Sequence, residues 1–352
     1  MSLPEMGSEF WNVPQSDTAE VFPDDNTQFV LSGRTALELA ARDLIAERKI
    51  RSVCLPAFCC DSMIVPFRRA GLEVRFYDVL PSADGIERAL PVNHSCDAVL
   101  LLDCFGFAQQ ETAWLAERES KRGTAVILDR VQALYSETDA QQHADYTVTS
   151  WRKWFFSCAA AATKRCGAWL EKVSKPAKEE YVSLRREAAK QKAAYLEQGL
   201  GEKQRFLNGF SRAEELLDLD FSDFAADPVS VEELSFLDVS FLKRRRRENA
   251  DAIYTALRDL EDHRVRPLFP MQNAEDTPLF VPVLVDPLIR ADLRSFLIHN
   301  QVFCPIHWPD PHTGGGKALY EQELSLLCDQ RYTKADMERE TNLIKEFLDQ
   351  DV

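Results

Sequence analysis

From Ser52 to Leu128 the chain alternates short, largely apolar runs with segments of helical period, and few folds accept that arrangement. Ser52-Val53-Cys54-Leu55-Pro56, Val74-Arg75-Phe76-Tyr77-Asp78, Ala98-Val99-Leu100-Leu101-Leu102 and Thr124-Ala125-Val126-Ile127-Leu128 read as strands, with Ser62 to Ala70 and Thr112 to Arg122 as helices between them. A strand that is apolar throughout must be covered on both faces, so the pattern predicts an α/β fold with a mostly parallel sheet flanked by helices. In such a sheet the ligand lies in the loops that follow the strand ends.

The rest of the chain divides around this block. Residues 1–29, with Pro4, Pro14 and Pro23, read as an irregular arm carrying at most a short element near Phe10-Trp11 and predicted to wrap a neighbour. Residues 30–235 form the predicted large domain. Residues 236–352 form a linking helix and a smaller C-terminal α+β domain, read from Val265 to Phe269, Leu279 to Val285, an Arg290 to Asn300 helix, Val302 to His307 and a terminal helix. Ala159 to Ala162 reads as a small-residue turn leading into a strand at Cys166-Gly167-Ala168-Trp169-Leu170. Residues 171–205 are helix-prone, Asp218 to Asp227 is an acidic loop, and Ser230 to Leu260 reads as helix. The basic run Lys243-Arg244-Arg245-Arg246-Arg247 inside it is expected to be a solvated face or a subunit contact. Gly314-Gly315-Gly316-Lys317 lacks the upstream glycine, the Ser/Thr and the preceding strand of a phosphate loop, and reads as a mobile surface loop.

Charge and composition narrow the function classes. A formal net charge of -15 over 352 residues argues against a nucleic-acid or anionic-membrane surface and for small-molecule work. There is no apolar run of about eighteen residues and no basic-then-apolar leader, so a cytoplasmic protein is expected. Nine cysteines, mostly inside apolar runs and without paired zinc spacing, suit reduced thiols and no metal site.

The residues that carry chemistry follow the last strand of the block. Asp129 stands where the apolar run ends. After a second run, Tyr146-Thr147-Val148-Thr149, comes Ser150-Trp151-Arg152-Lys153-Trp154-Phe155, a lysine among aromatics beside another cation. Such an amine has a lowered pKa and attacks carbonyls. Pyridoxal 5'-phosphate needs that lysine, a carboxylate against its pyridinium nitrogen and a donor to its phenolic oxygen, which Asp129 and Gln132 would supply. Gly33, Arg34 and Thr35 open the helix Ala36 to Ile45 and would seat a phosphate. Taken singly, Asp129 also reads as a turn residue, the aromatic cluster as packed surface, and Gly33 to Thr35 as a plain capped helix.

In order and spacing, Ser32-Gly33-Arg34-Thr35-Ala36-Leu37, Leu55-Pro56-Ala57-Phe58-Cys59-Cys60, Asp129-Arg130-Val131-Gln132-Ala133, Ser150 to Phe155, Ile306-His307-Trp308-Pro309 and Leu324 to Tyr332 together make the chain, from about residue 30 to its end, similar to a known family. It resembles the DegT/DnrJ/EryC1/StrS family of pyridoxal-phosphate sugar aminotransferases, of fold type I. The resemblance implies Lys153 as the catalytic, cofactor-bearing lysine. It implies Asp129 and Gln132 on the ring, Gly33, Arg34, Thr35 and a hydroxyl from Ser150 or Thr149 on the phosphate, Cys60 where many members stack an aromatic, and Arg152 and His307 toward the substrate. It further implies a homodimer that moves an amino group from a glutamate-like donor to a keto-sugar nucleotide. Two departures, Ala159 to Ala162 in place of paired glycines and Ala226 near the position of an asparagine that reaches the neighbouring subunit's phosphate, motivate an alternative: a cofactor-binding regulatory or partner protein without transaminase activity.

Overall fold

The computed structural model describes residues 5–17, 26–270, 272–310 and 313–350. In chain order its strands are β1 (Met6–Gly7), β2 (Thr27–Val30), β3 (Ser52–Pro56), β4 (Glu73–Ser82), β5 (Gly85–Ala89), β6 (Ala98–Leu102), β7 (Ala125–Asp129), β8 (Tyr146–Ser150), β9 (Ala160–Lys164), β10 (Val265–Pro267), β11 (Val281–Val285), β12 (Val302–Phe303) and β13 (Glu323–Leu326). Its helices are α1 (Gly33–Arg48), α2 (Asp61–Arg69), α3 (Gln110–Arg122), α4 (Glu179–Gln198), α5 (Lys203–Leu219), α6 (Pro228–Leu234), α7 (Val239–Arg258), α8 (Arg290–His299), α9 (Lys317–Gln322) and α10 (Lys334–Gln350).

Eight strands form one sheet in the order β2-β9-β8-β7-β6-β3-β4-β5. The β8-β7-β6-β3-β4 stretch is parallel, while β9 and the edge strand β5 run against it. The central strands β3, β6 and β7 are buried at every position, which is why their sequences show no polar alternation. Parallel neighbours need a crossover, and α2 and α3 supply it. A smaller antiparallel sheet, β10-β11-β13, stands apart from the large one, yet a single apolar core runs from Val53, Leu100 and Ile127 through to Val283, Leu324 and Met337. The chain is thus an α/β protein with a large mixed sheet, as the alternating pattern predicts.

Several expectations are corrected. Ala160 to Lys164 is a strand, not a turn, and residues 166–170 are not one. The reason lies in packing: Ala160 and Ala162 face the core that contains Leu37 of α1, whereas Ala159 and Ala161 face the cluster of Trp151, Trp154 and Leu237. Burial on both faces, with β2 and β8 paired on either side, overrides alanine's weak strand preference. The helix expected over 230–260 is two, α6 and α7, broken at Ser235 to Asp238. In the basic run, Arg246 is fully buried: it lies over the Trp154 ring, donates from Nε to Gln330 and from Nη1 to the carbonyls of Pro278 and Leu279. Gly314 to Lys317 is no mobile loop, since Thr313 donates to the Ala57 carbonyl, Val79 donates to Gly315, and a Cβ on Gly315 would collide with Asp78. The described part of the arm packs on its own chain: β1 pairs with β12, Phe156 donates to Asn12, and Gly7 donates to the Tyr332 hydroxyl. The prolines at 4 and 23 lie outside the described residues.

The large sheet is clamped to the segment before β11 by the turn after β6. Phe105 and Gly106 both take positive φ, 61° and 89°. This lets the Phe105 carbonyl accept from Leu279 and Phe280 while Gly106 lies against the Thr277 backbone. A Cβ at position 106 would be driven into the Thr277 carbonyl. Gly106→Ala is therefore expected to cost about 2–3 kcal/mol in urea unfolding, from φ strain and overpacking together. A loss below about 0.5 kcal/mol would show that the clamp yields.

Candidate functional site

Four parallel strands end at one cavity. Leu102 from β6, Asp129 from β7 and Ser150 from β8 line it, with Cys60 from the loop after β3 and Gly33 and Arg34 from the first turn of α1. The single turn that follows β8, Trp151 to Lys153, is held by the Trp154 amide on the Trp151 carbonyl and carries Lys153 into the same space. The Trp154 indole in turn donates to the Val131 carbonyl at 2.9 Å, which fixes the Asp129 loop relative to the lysine turn.

Asp129 is 3% exposed, accepts from the Val131 amide at 2.8 Å, and has no other hydrogen-bonded partner among the described residues. Burial raises its pKa to about 6, against the opposing pull of the Val131 amide and the Lys153 charge. Gln132 accepts at Oε1 from the Phe105 amide, 2.9 Å away. An amide N–H only donates, so this contact settles the side-chain orientation and leaves the Gln132 NH₂ as a donor to the cavity. Lys153 pairs with no carboxylate among the described residues. Its accessible surface faces the cavity, and its pKa is lowered first by burial and then by the neighbouring Arg152 cation. It is a nucleophilic amine by environment.

At the other end of the cavity, Ser32 caps α1 by accepting from the Thr35 amide, and the amides of Gly33 and Arg34 have no partner among the described residues. No acidic residue occupies that first turn. Arg34 Nη1 lies 2.8 Å from Asp218 Oδ1, close enough for charge pairing but without hydrogen-bond alignment, so it is a buried donor still open. A dianion placed there would meet two amides, the helix dipole and a guanidinium. The Ser150 hydroxyl also has no protein partner among the described residues and lines the same wall. These open donors, one lone buried carboxylate and one amine without an acid form the set that pyridoxal phosphate would satisfy.

Three expected residues stand elsewhere in the chemistry. Thr35 does not line the cavity: its hydroxyl donates to the Phe221 carbonyl at 2.7 Å and the residue is 1% exposed, which corrects its expected role as a phosphate donor. Arg152 is held by Glu214 through both terminal nitrogens, at 2.5 and 3.1 Å, so it acts on Lys153 by its charge and is not a free guanidinium awaiting a substrate. His307 lines not this cavity but a second one adjoining it, with Nδ1 on the Ser325 hydroxyl and its amide on Glu323. Cys60 reaches the cavity with its sulfur 2.9 Å from the Ser62 hydroxyl. The aromatic nearest in kind is Trp308, which lines the cavity from the C-terminal part and packs on Phe58 at 5.0 Å. Sequence reasoning missed Trp308 as a cavity residue, and missed Glu214, whose 62-residue separation from Arg152 leaves no local signal. Ala226 sits in the Trp151 and Trp154 cluster with its amide on the Phe29 carbonyl.

No protein-family model matches the chain, and no curated protein matches it in sequence. Solved structures share its fold. The aminotransferase TlmJ from Streptoalloteichus hindustanus superposes with a TM-score of 0.65 at 18% identity, over 92% of this chain and 86% of its own. The sugar aminotransferase CalS13 from Micromonospora echinospora gives 0.60 at 15% identity, over 91% and 87%. NtdA from Bacillus subtilis, solved with bound cofactor PMP, gives 0.59 at 16% identity, over 91% and 73%. The large mixed sheet with its flanking helices is the aminotransferase fold type I.

Proposed function

We propose that this protein is a pyridoxal-phosphate-dependent aminotransferase acting on a sugar substrate. The observation that carries the reading is the set around the cavity: Asp129 buried with one oxygen unbonded, Gln132 with its NH₂ turned inward, and Lys153 without an acidic partner. A scaffold has no use for a lone buried carboxylate beside an amine without an acid, because the carboxylate costs stability unless a cation is bound against it. Proteins of this fold include the sugar aminotransferase CalS13 and NtdA with bound PMP, which supports the same reading.

When bound, pyridoxal phosphate supplies an aldehyde for attachment of an amine and a ring that takes up the electron pair released from the substrate's C–H bond. Asp129 would keep the ring nitrogen protonated, Gln132 would donate to the ring oxygen, and the amides of Gly33 and Arg34 with the Arg34 side chain and Ser150 would hold the phosphate. The Lys153 amine would hold the cofactor and then carry the proton between neighbouring carbons, a task suited to an amine whose pKa is lowered by burial and by Arg152. Glutamate as donor, a nucleotide-linked keto sugar as acceptor and a homodimeric working unit follow from the family resemblance, and a cytoplasmic setting from the lack of an apolar span in the sequence.

The donor half of the reaction tests this. Purified protein loaded with pyridoxal phosphate and given glutamate or a panel of other amino acids is expected to release one equivalent of the matching 2-oxo acid per site, with a shift of the visible band. No release with any donor would leave the fold with a binding role only.

A further inference from the structure

Arg152, the cation beside Lys153, is the end of a longer chain of charges. Glu214 of α5 accepts from both of its terminal nitrogens. Arg185 of α4 donates from Nη1 to the same Glu214 carboxylate at 3.3 Å, and from Nη2 to Glu9 of the arm at 2.8 Å. Anion, cation, anion and cation thus alternate from the arm, through α4 and α5, to the lysine turn. Arg185 is 1% exposed, and the Tyr181 and Phe210 rings are centred 5.8 and 5.3 Å from its guanidinium, so the middle of the chain of charges runs through apolar surroundings.

The arm is anchored there by its backbone and by Phe10. The Glu9 carbonyl accepts from Lys192 Nζ at 2.6 Å and from Arg331 Nη1 at 3.4 Å. The Ser8 carbonyl accepts from the same Arg331 nitrogen, and the Arg331 guanidinium lies 4.0 Å over the Phe10 ring. These contacts do not use the Glu9 side chain, whose carboxylate goes to Arg185. Buried ion pairs add little net stability once desolvation is counted. Carbonyls alone satisfy the buried Arg246 in this same protein, so a guanidinium here needs no carboxylate in order to be buried. Four alternating charges that end beside one amine therefore point to that amine.

Around Lys153 stand Arg152 on its own turn, Asp129 at the end of β7, Cys60 before α2, Glu9 and Glu214. Burial lowers the Lys153 pKa first and Arg152 next, whereas Glu9, Cys60 and Glu214 oppose them. Burial also acts to raise the Glu214 pKa, yet Arg152, Arg185 and Arg34 bring it down to about 2, so Glu214 is an anion at neutral pH. Arg34, Arg246, Arg294, His307, Asp329 and Arg331 border the two cavities as well, and they stay unchanged in the variants below.

We infer that Glu9 and Glu214 are positioning residues for Lys153: through Arg185 and Arg152 they set how much positive charge the amine faces, and the docked arm is part of the lysine's site. The inference rests on the proposed role of Lys153 in the reaction, and the charge around the amine is measurable without the cofactor.

The test is competitive labelling. The cofactor-free protein is treated with trace acetic anhydride over a series of pH values, and acetylation of the Lys153 peptide is quantified by mass spectrometry, with exposed Lys121 as the reference. Glu9→Gln and Glu214→Gln are each expected to lower the Lys153 midpoint by about half a pH unit to one pH unit, the effect of one charge at side-chain range in an effective dielectric of about 20. Glu214→Asp keeps the charge and is expected to restore most of the midpoint, and Arg152→Gln is expected to move it upward. In the pyridoxal-phosphate-loaded protein the pH midpoint of the visible band is expected to shift with the same signs. Thermal melting is read on every variant, because a purely structural role lowers the melting temperature and leaves the midpoint in place. Unchanged midpoints in folded variants would overturn the inference, and a shift with Glu214→Gln but not with Glu9→Gln would remove the arm from it. Should Glu214→Gln not fold, Glu9→Gln decides, since the anchors of its backbone remain. A loaded protein without a visible band refutes the cofactor reading, while the labelling still reports on the charges.

Discussion

Lys153→Ala is expected to lower turnover by at least about a thousandfold while leaving the fold intact. The activity loss is large because one amine serves as both attachment point and proton carrier, and positioned proton transfer alone is worth about a hundredfold to ten-thousandfold. The stability change is small because the side chain faces two cavities and fills no core, so urea unfolding of the cofactor-free variant is expected to move by no more than about 0.5 kcal/mol. Borohydride reduction of the loaded wild type, followed by peptide mapping, is expected to place the pyridoxyl group on Lys153. A reduced adduct on another lysine, or a variant that turns over within tenfold of wild type, would remove Lys153 from the chemistry.

Asp129→Asn separates the cost of the site from its use. Burial raises the Asp129 carboxyl from 3.8 to about 6 in the folded, cofactor-free protein. For an acid whose folded pKa lies above its unfolded one, the contribution to stability is fully present below the unfolded value and is lost as pH rises through the folded one. The cofactor-free wild type thus loses on the order of 3 kcal/mol between about pH 4 and pH 6, at 1.36 kcal/mol per unit. Asparagine has no charge to bury and still offers an oxygen to the Val131 amide. The variant is therefore expected to match wild type near pH 3.5 and to exceed it by up to about 3 kcal/mol at pH 7, read as the difference between paired urea curves. Turnover moves the other way, down by about a hundredfold, because a neutral amide cannot stabilise a protonated ring nitrogen. Pyridoxal phosphate should also stabilise wild type more than the variant, since a cation beside the carboxylate removes the burial penalty. Equal stability of the two proteins across the whole pH range would mean that Asp129 is already compensated within the chain.

Both predictions concern residues that sequence order makes visible, and the reason is local. Asp129 ends an apolar strand and Lys153 follows the next strand by three residues, so the topology of neighbouring parallel strands brings them to one edge. The strands that flank the centre are harder to read. β5 is five residues long and lies on the sheet edge, and β9 opens with three alanines whose preference says nothing of a sheet. Charged side chains resist reading for a different cause. Arg246 looks like its solvated neighbours until carbonyls from positions 278 and 279 close on it, and Arg152 looks free until Glu214 arrives from another helix. Partners of that kind are set by the tertiary fold, so a free guanidinium cannot be told from a paired one in the sequence.

The alanine strand has a consequence for how this protein can change over generations. Ala160, Ala161 and Ala162 of β9 are buried between two apolar clusters, so a larger side chain there has to displace a neighbouring layer. An enlargement at Ala160 or Ala162 would lift α1, and with it the amides of Gly33 and Arg34, away from the sheet unless a residue of the same cluster on the helix shrank to match. Mutations here are therefore tied in pairs, one growing as the other recedes. Lineages of this fold would differ at β9 by coordinated swaps, with few viable single steps between them.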